Sequence, residues 1–151
     1  MALPPRIDAK AVRERIGAYA DKAATQAERS AIYAELIGFV PPRIEARMAV
    51  TGALDPTLLD MQEKMRDHAM YPKCFDVKTA QLMLFGMLLM DMSDAAQLHA
   101  IAARRAGASW EEMQAVISLC FLFRGLPAAN RGAEILANLA KREAESKASA
   151  A

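Results

Sequence analysis

Residues 93–127, SDAAQLHAIAARRAGASWEEMQAVISLCFLFRGLP, decide how this chain is read. The stretch spells two helices with punctuation on both sides. Ser93 is an N-cap residue type for a first helix that stops at Gly107. Ser109 opens a second, with Glu112 three residues on at capping-box spacing, and Gly125-Leu126-Pro127 closes it. On the first helix Ala95, His99, Ala102 and Ala106 share a face by the 3.6-residue period, so the imidazole is flanked by methyl groups that leave room for a hollow. On the second, Met113, Val116, Ile117, Cys120 and Phe121 form an apolar stripe that runs on to Arg124. Leu119, Leu122 and Phe123 make its last two turns apolar as well, a pattern for burial on more than one side.

Several of these pieces resemble the signature of the carboxymuconolactone decarboxylase family, which includes the alkylhydroperoxidase D type proteins. They are His99, Gly107-Ala108-Ser109, Glu111-Glu112 and Gly125-Leu126-Pro127-Ala128-Ala129, with Arg47-Met48-Ala49-Val50-Thr51-Gly52 similar to the family's Arg-rich segment ending in Val-x-Gly. The resemblance spans roughly residues 38 to 140 and keeps the family's order. It also has departures. The C-x-x-C-x-x-x-H of the family's peroxidases, placed on His99, falls at Met92 and Ala95. Their acidic residue about three turns earlier falls near Ala80 or Gln81, and the Glu that decarboxylase-like members often carry four residues before the His is again Ala95.

Length and composition set the bounds. The 151 residues suffice for one domain with a real core. A 54% hydrophobic content with 6% aromatics makes that core aliphatic and Met-rich, which favours helices. Basic and acidic residues, 19 and 18, are interspersed for a net charge of +1, so the chain has no electrostatic footprint for nucleic acid or an anionic membrane. The two cysteines, Cys74 and Cys120, form no C-x-x-C, and neither a disulfide framework nor a metal site is indicated. Residues 1–8 lack the apolar core of a signal peptide, and the run from Leu82 to Met90 is far short of the ~20 residues that span a bilayer. The expectation is a cytoplasmic protein without cofactor or metal.

In chain order, Asp8 is placed to cap a helix through about Ile37, weakened at Gly17 and Thr25-Gln26 and so divisible in two. Pro42 starts a helix that ends at Gly52. Asp55-Pro56 starts another through Ala69, with Leu58, Met61 and Met65 expected inward and Glu63, Lys64 and Arg66 outward. Tyr71-Pro72-Lys73 breaks it. Asp76 caps a helix that is apolar nearly all round, with Met83, Met87 and Met90 read as core, central to the fold or in a subunit interface. After the pair quoted above, a last helix runs from Pro127 to about Ala144 with Ile135, Leu136 and Leu139 inward, before a small polar tail. The reading is all-α: a single-domain helical bundle of about seven helices, oligomeric. Its parts are an N-terminal helical extension (1–37), the family-like helical domain (38–145) and a flexible tail (146–151).

The candidate site centres on His99, whose ordinary pKa near 6.5 suits proton transfer at neutral pH. The plainer reading is a helix-packing histidine. Arg124 and Arg131 flank the turn into the last helix, where backbone N–H groups favour an anion, and a carboxylate fits there. Equally, Arg124 complements a helix C-terminus and Arg131 is solvated. Arg47 sits in the family's Arg segment or makes surface ion pairs. His68, Tyr71 and Cys74 cluster around the Tyr-Pro turn as a pocket rim or as partly exposed polar residues.

Three functions fit the residues. The resemblance implies a cofactor-independent lyase, isomerase or hydrolase on a small carboxylated or lactone-type compound, with His99 as acid/base and Arg124, with Arg47 or Arg131, holding the anion. A thiol peroxidase requires a low-pKa cysteine beside a resolving partner, and only Cys74 stands in reserve. A non-catalytic binding or scaffolding protein of the same fold is the third. The resemblance also implies self-association as a trimer or a hexamer, with sites near subunit boundaries.

Overall fold

The computed structural model describes residues 4–150; residues 1–3 of the N-terminal extension and Ala151 of the tail lie outside it. Among the described residues there are eight helices and no strands: α1 Ala9–Arg15, α2 Gln26–Ile37, α3 Pro42–Leu54, α4 Pro56–Met70, α5 Val77–Met90, α6 Ala96–Arg105, α7 Trp110–Arg124 and α8 Leu126–Ala150. The chain divides into two compact units, one through Pro72 and the other from Lys73.

The first unit holds α1 to α4. The region expected as one helix or two is two, because Gly17 takes a φ of +142° and Thr25 caps α2 with a complete capping box to Glu28. The segment between them is held on α3 by a hydrogen bond from the Ala20 N–H to the Gly52 carbonyl (2.9 Å). The ring of Tyr19 lies where a side chain at position 52 would stand, 2.5 Å from an added Cβ. The core comprises Tyr33, Leu36, Ile37, Met48, Ala49 and Leu59.

Helix α4 does not face the way its apolar spacing predicts. Leu58, Met61 and Met65 are exposed, Met65 by 72%, and Leu59 and Glu63 are buried instead. A polar network turns the helix. The Tyr33 hydroxyl donates to the Glu63 carboxylate (2.9 Å to Oε1), which Arg47 also pairs with, while Arg47 donates to Gln62 Oε1 (3.0 Å) and to the Tyr33 oxygen (3.0 Å). Arg29, itself buried against Asp21, donates to Asp60 Oδ1 (3.0 Å). Burying these charges is tolerable only with such partners, and removing one partner would leave the other uncompensated.

The second unit holds α5 to α8. Its core is built from Phe85 and Leu89 of α5, Ala96, Ala100, Ile101, Ala102 and Ala103 of α6, Met113, Ile117 and Cys120 of α7, and Ala128, Ile135 and Leu139 of α8. Helix α5 buries Gln81, Phe85 and Leu89, spaced by four, while Met83 and Met87, expected in the core, are exposed. On α7 the predicted inner stripe is partly kept: Met113, Ile117 and Cys120 are buried, but Phe121 is 45% exposed, and so are Leu119, Leu122 and, at 84%, Phe123. Ser109 and Glu112 make the expected capping box. Ser93 does not cap α6. Its hydroxyl accepts from the Ala95 N–H within a tight turn, and α6 begins three residues later with Ala95 in the cap position and no side-chain cap. Helix α8 continues to Ala150, past the end expected near Ala144, over a run of good helix formers with few breakers.

Candidate functional site

His99 is positioned by two helix ends that close in the same way. Helix α5 ends with the Ser93 N–H bonded to the Leu88 carbonyl and the Met92 N–H to that of Leu89; helix α6 ends with Ala108 to Ala103 and Gly107 to Arg104. Both are Schellman motifs, which need a left-handed residue after the cap. Gly107 supplies it at φ +93°, whereas at the first end Met92 adopts φ +56° without being a glycine. The tight first turn folds α6 back along α5. Ala96, Ala100, Ala102 and Ala103 are fully or almost fully covered, so the small residues around His99 serve close packing of α6.

On the facing helix Gln81 is 0% exposed, and its Oε1 lies 2.8 Å from Nδ1 of the half-buried His99. Sequence reasoning did not place Gln81 in the site. Its signal was positional: it falls where the resembled enzymes carry their acidic residue, and an amide there still reaches the imidazole.

The other candidates lie as follows. Asp94, just before α6, accepts from Arg131 Nη2 of α8 at 2.7 Å, and Glu134 lies 3.6 Å from the same guanidinium, so Arg131 ties the start of α8 to the start of α6. Arg124 is exposed in the last turn of α7, one residue before Gly125 and the start of α8. Arg47 belongs to the first unit and takes part in the network with Glu63, Tyr33 and Gln62. His68 and Tyr71, at the end of α4, are exposed, as is the free Cys74.

Cys120 is buried, with its thiol directed at the Gly86 carbonyl (3.5 Å), and burial pushes its pKa up, away from the thiolate that peroxide chemistry needs. It lies at the floor of a groove of about 430 Å³ between α5 and α7, also lined by Leu82, Met83, Val116 and Leu119. Lys78 and Glu112 close one end with an ion pair at 2.7 Å, which lowers the Glu112 pKa and raises that of Lys78. His99 is not among the residues lining this groove.

A sequence model of the carboxymuconolactone decarboxylase family matches residues 56–138, more than half of the chain. The chain belongs to the carboxymuconolactone decarboxylase family. The matched span takes in the whole of α4 to α7 and the first part of α8, and so includes both His99 and Gln81. No match was found among curated proteins or among solved structures. Within this member of the carboxymuconolactone decarboxylase family, Met92 and Ala95 occupy the positions at which a C-x-x-C pair would precede the histidine. No helix of the described residues is long and apolar enough to cross a membrane.

Proposed function

We propose that this protein is a cofactor-independent lyase or isomerase, cytoplasmic in location, that moves a proton on a small carboxylated or lactone-type metabolite. The observation that carries this reading is the imidazole of His99, held at Nδ1 by a buried amide. An imidazole oriented by a buried amide is the type of side chain that general acid/base chemistry near neutral pH uses. Family membership supports decarboxylase-like chemistry. The residue types at Met92 and Ala95 and the buried thiol of Cys120 weigh against a thiol peroxidase.

Arg124 is the anion holder in this reading. Arg131 and Arg47 are engaged with carboxylates of the protein, while Arg124 stays exposed beside the start of α8. A dienolate-like transition state needs a proton donor or acceptor and a positive group near the carboxylate, which His99 and Arg124 would supply. His68 and Tyr71, in the first unit, and the exposed Cys74, in the second, are given no part in this reading.

The test is a thermal-shift screen with small carboxylic acids and lactones on the wild type, His99→Ala and Arg124→Ala. A ligand that binds the folded state raises its melting temperature by mass action. The expected result is one chemical class of hit, turned over by the wild type and not by His99→Ala, with the variant's own melting temperature little changed. A His99→Ala protein that turns over the hit as the wild type does would sink the proposal. A second reading, an oligomeric binding protein without chemistry, draws on the exposed apolar side chains Leu119, Leu122, Phe123 and Leu126. Tight binding of a hit with no turnover by the wild type would favour it.

A further inference from the structure

The first unit carries a hollow of its own, of about 520 Å³, between α1, the segment that follows it and α3. We infer that this hollow binds a small organic anion with an apolar body, a monocarboxylate of the octanoate kind. It lies ahead of residues 56–138, the span that matches the family, and the inference does not rest on the role proposed for His99.

The hollow follows from the way the chain leaves α1. The Ile16 and Gly17 N–H groups both end on the Val12 carbonyl, and Gly17 at φ +142° then turns the chain. The Ala20 N–H bonds to the Gly52 carbonyl, and the Tyr19 ring takes the place of a side chain at position 52, so the segment is held on α3. Between this segment and α1 stand small residues, Ala18 and, one turn before Gly52 on α3, Ala49. With Val12 they give the hollow an apolar wall. Its volume falls within the roughly 300–1,000 Å³ of small-molecule sites.

Its charge has one sign. Lys10 and Arg13, three residues apart on α1, both line the hollow, and among the described residues no carboxylate does. Lys10 stands in the first turn of α1, where a cation opposes the helix dipole, and its exposed pair with Glu14 at 3.8 Å is worth little, so the stability of α1 does not explain it. Arg13 has no ion-pair partner among the described residues. The acids nearby are engaged: Asp8 caps α1 at the Ala11 N–H, Asp21 is buried against Arg29, and Glu28 is tied back to Thr25. Gln26, the first residue of α2, lines the hollow and brings an amide donor and the positive end of that helix to it. The Tyr19 hydroxyl is spent on the Ala24 carbonyl (2.9 Å), which leaves the two cations and Gln26 to hold a negative group. Wall and charge together select the ligand: an apolar body against Val12, Ala18 and Ala49, and a carboxylate toward Lys10 and Arg13.

Because the site proposed around His99 takes carboxylates too, the test reads the two residue by residue. Titrating ¹⁵N-labelled protein with octanoate should shift the backbone amides of Gly17, Ala18, Tyr19 and Ala49 in one saturable event. Acetate, which lacks the apolar body, and octanol, which lacks the charge, should leave them nearly unmoved at the same concentrations. Lys10→Gln with Arg13→Gln should weaken octanoate binding about tenfold, the scale of two exposed charge contacts. Ala18→Trp should abolish it by filling the hollow, and Arg15→Gln, which removes a cation of the same helix outside the lining, should bind as the wild type does. Circular dichroism checks that each variant keeps its helices. The inference is overturned if the wild type shows no saturable shift at those amides, or if Arg15→Gln weakens binding as much as the Lys10 and Arg13 changes do. Octanoate shifts confined to the amides around His99 would also overturn it, while supporting the other site. Full turnover by His99→Ala would remove the acid/base reading and leave this hollow's titration as it was.

Discussion

A single backbone angle separates the two turns that frame α6. Gly107 and Met92 occupy equivalent places in successive Schellman motifs, both left-handed, and only one is a glycine. For an L-residue that conformation costs roughly 1–2 kcal/mol, so the turn before α6 carries strain that the turn after it does not. Position 107 measures the cost without interference from packing, because a Cβ there would meet no heavy atom within 4 Å. Gly107→Ala should therefore lower stability by about 1–2 kcal/mol through backbone conformation alone, read as a shift in urea midpoint with an unchanged slope. The strained turn stands immediately before the helix that carries His99. Strain of this kind persists where the surrounding structure fixes it, and here the Arg131–Asp94 ion pair anchors the same turn.

At the scale of helices, close approach and charge decide how elements meet. Gly132 of α8 lies against Ile117 of α7, and a Cβ at 132 would come within 2.6 Å of Ile117 Cγ1 and 2.8 Å of its Cδ1. Gly132→Ala should force the two helices apart and cost about 1–3 kcal/mol, seen as a lower melting temperature. Double replacement with Ile117→Val should recover part of the loss. The link from α6 to α8 is ionic: Arg104 Nε donates to Glu143 Oε1 at 2.9 Å while its guanidinium stacks on Trp110. The hydrogen bond from Arg104 holds the Glu143 pKa below its usual value. A carboxylate with a depressed native pKa adds stability above its unfolded value, near 4.3, and loses it as pH falls through the native value. Glu143→Gln should thus destabilise at pH 7 and narrow its gap to the wild type below about pH 4, measured by urea unfolding at both pH values.

Helix positions were legible from sequence because they are written locally. Asp8, Asp55, Asp76 and Ser109 cap helices as their residue types predict, and Gly38, Gly107 and Gly125 act as stops, whereas Thr25, read only as a weak point, is a cap and Ser93, read as a cap, is not. Helix faces were less so. Periodicity assigned Leu58, Met61 and Met65 to the inside of α4, and the opposite face won because Asp60, Gln62 and Glu63 find Arg29, Arg47 and Tyr33, residues 15 to 31 positions away in the chain. Pairing at that separation leaves no mark in a 3.6-residue pattern. The same limit hid Gln81. His99 was visible as a rare residue among alanines, but its partner is a neutral side chain 18 positions earlier on another helix.

For the molecule as a whole, the question is what its uncovered apolar surface meets. Leu119, Leu122 and Phe123 lie on one face of α7, Leu126 follows just past its end, and Met83, exposed with Met87 on α5, lines the same groove as Leu119. Large apolar side chains this exposed and clustered along one helix are the kind of surface that marks an interaction site. The patch side chains themselves carry no charge, so a second copy would meet no like-charge repulsion from them. Self-association through α7, as a trimer or hexamer, is the outcome we expect. Leu122→Glu with Phe123→Glu would place two carboxylates at the centre of such a contact, where burying them unpaired is costly. Sedimentation velocity should then show a smaller species than the wild type with the same helical circular dichroism. A wild type that sediments as a monomer at tens of micromolar would leave the α7 face for another partner, and the double variant would then change nothing in the sedimentation profile.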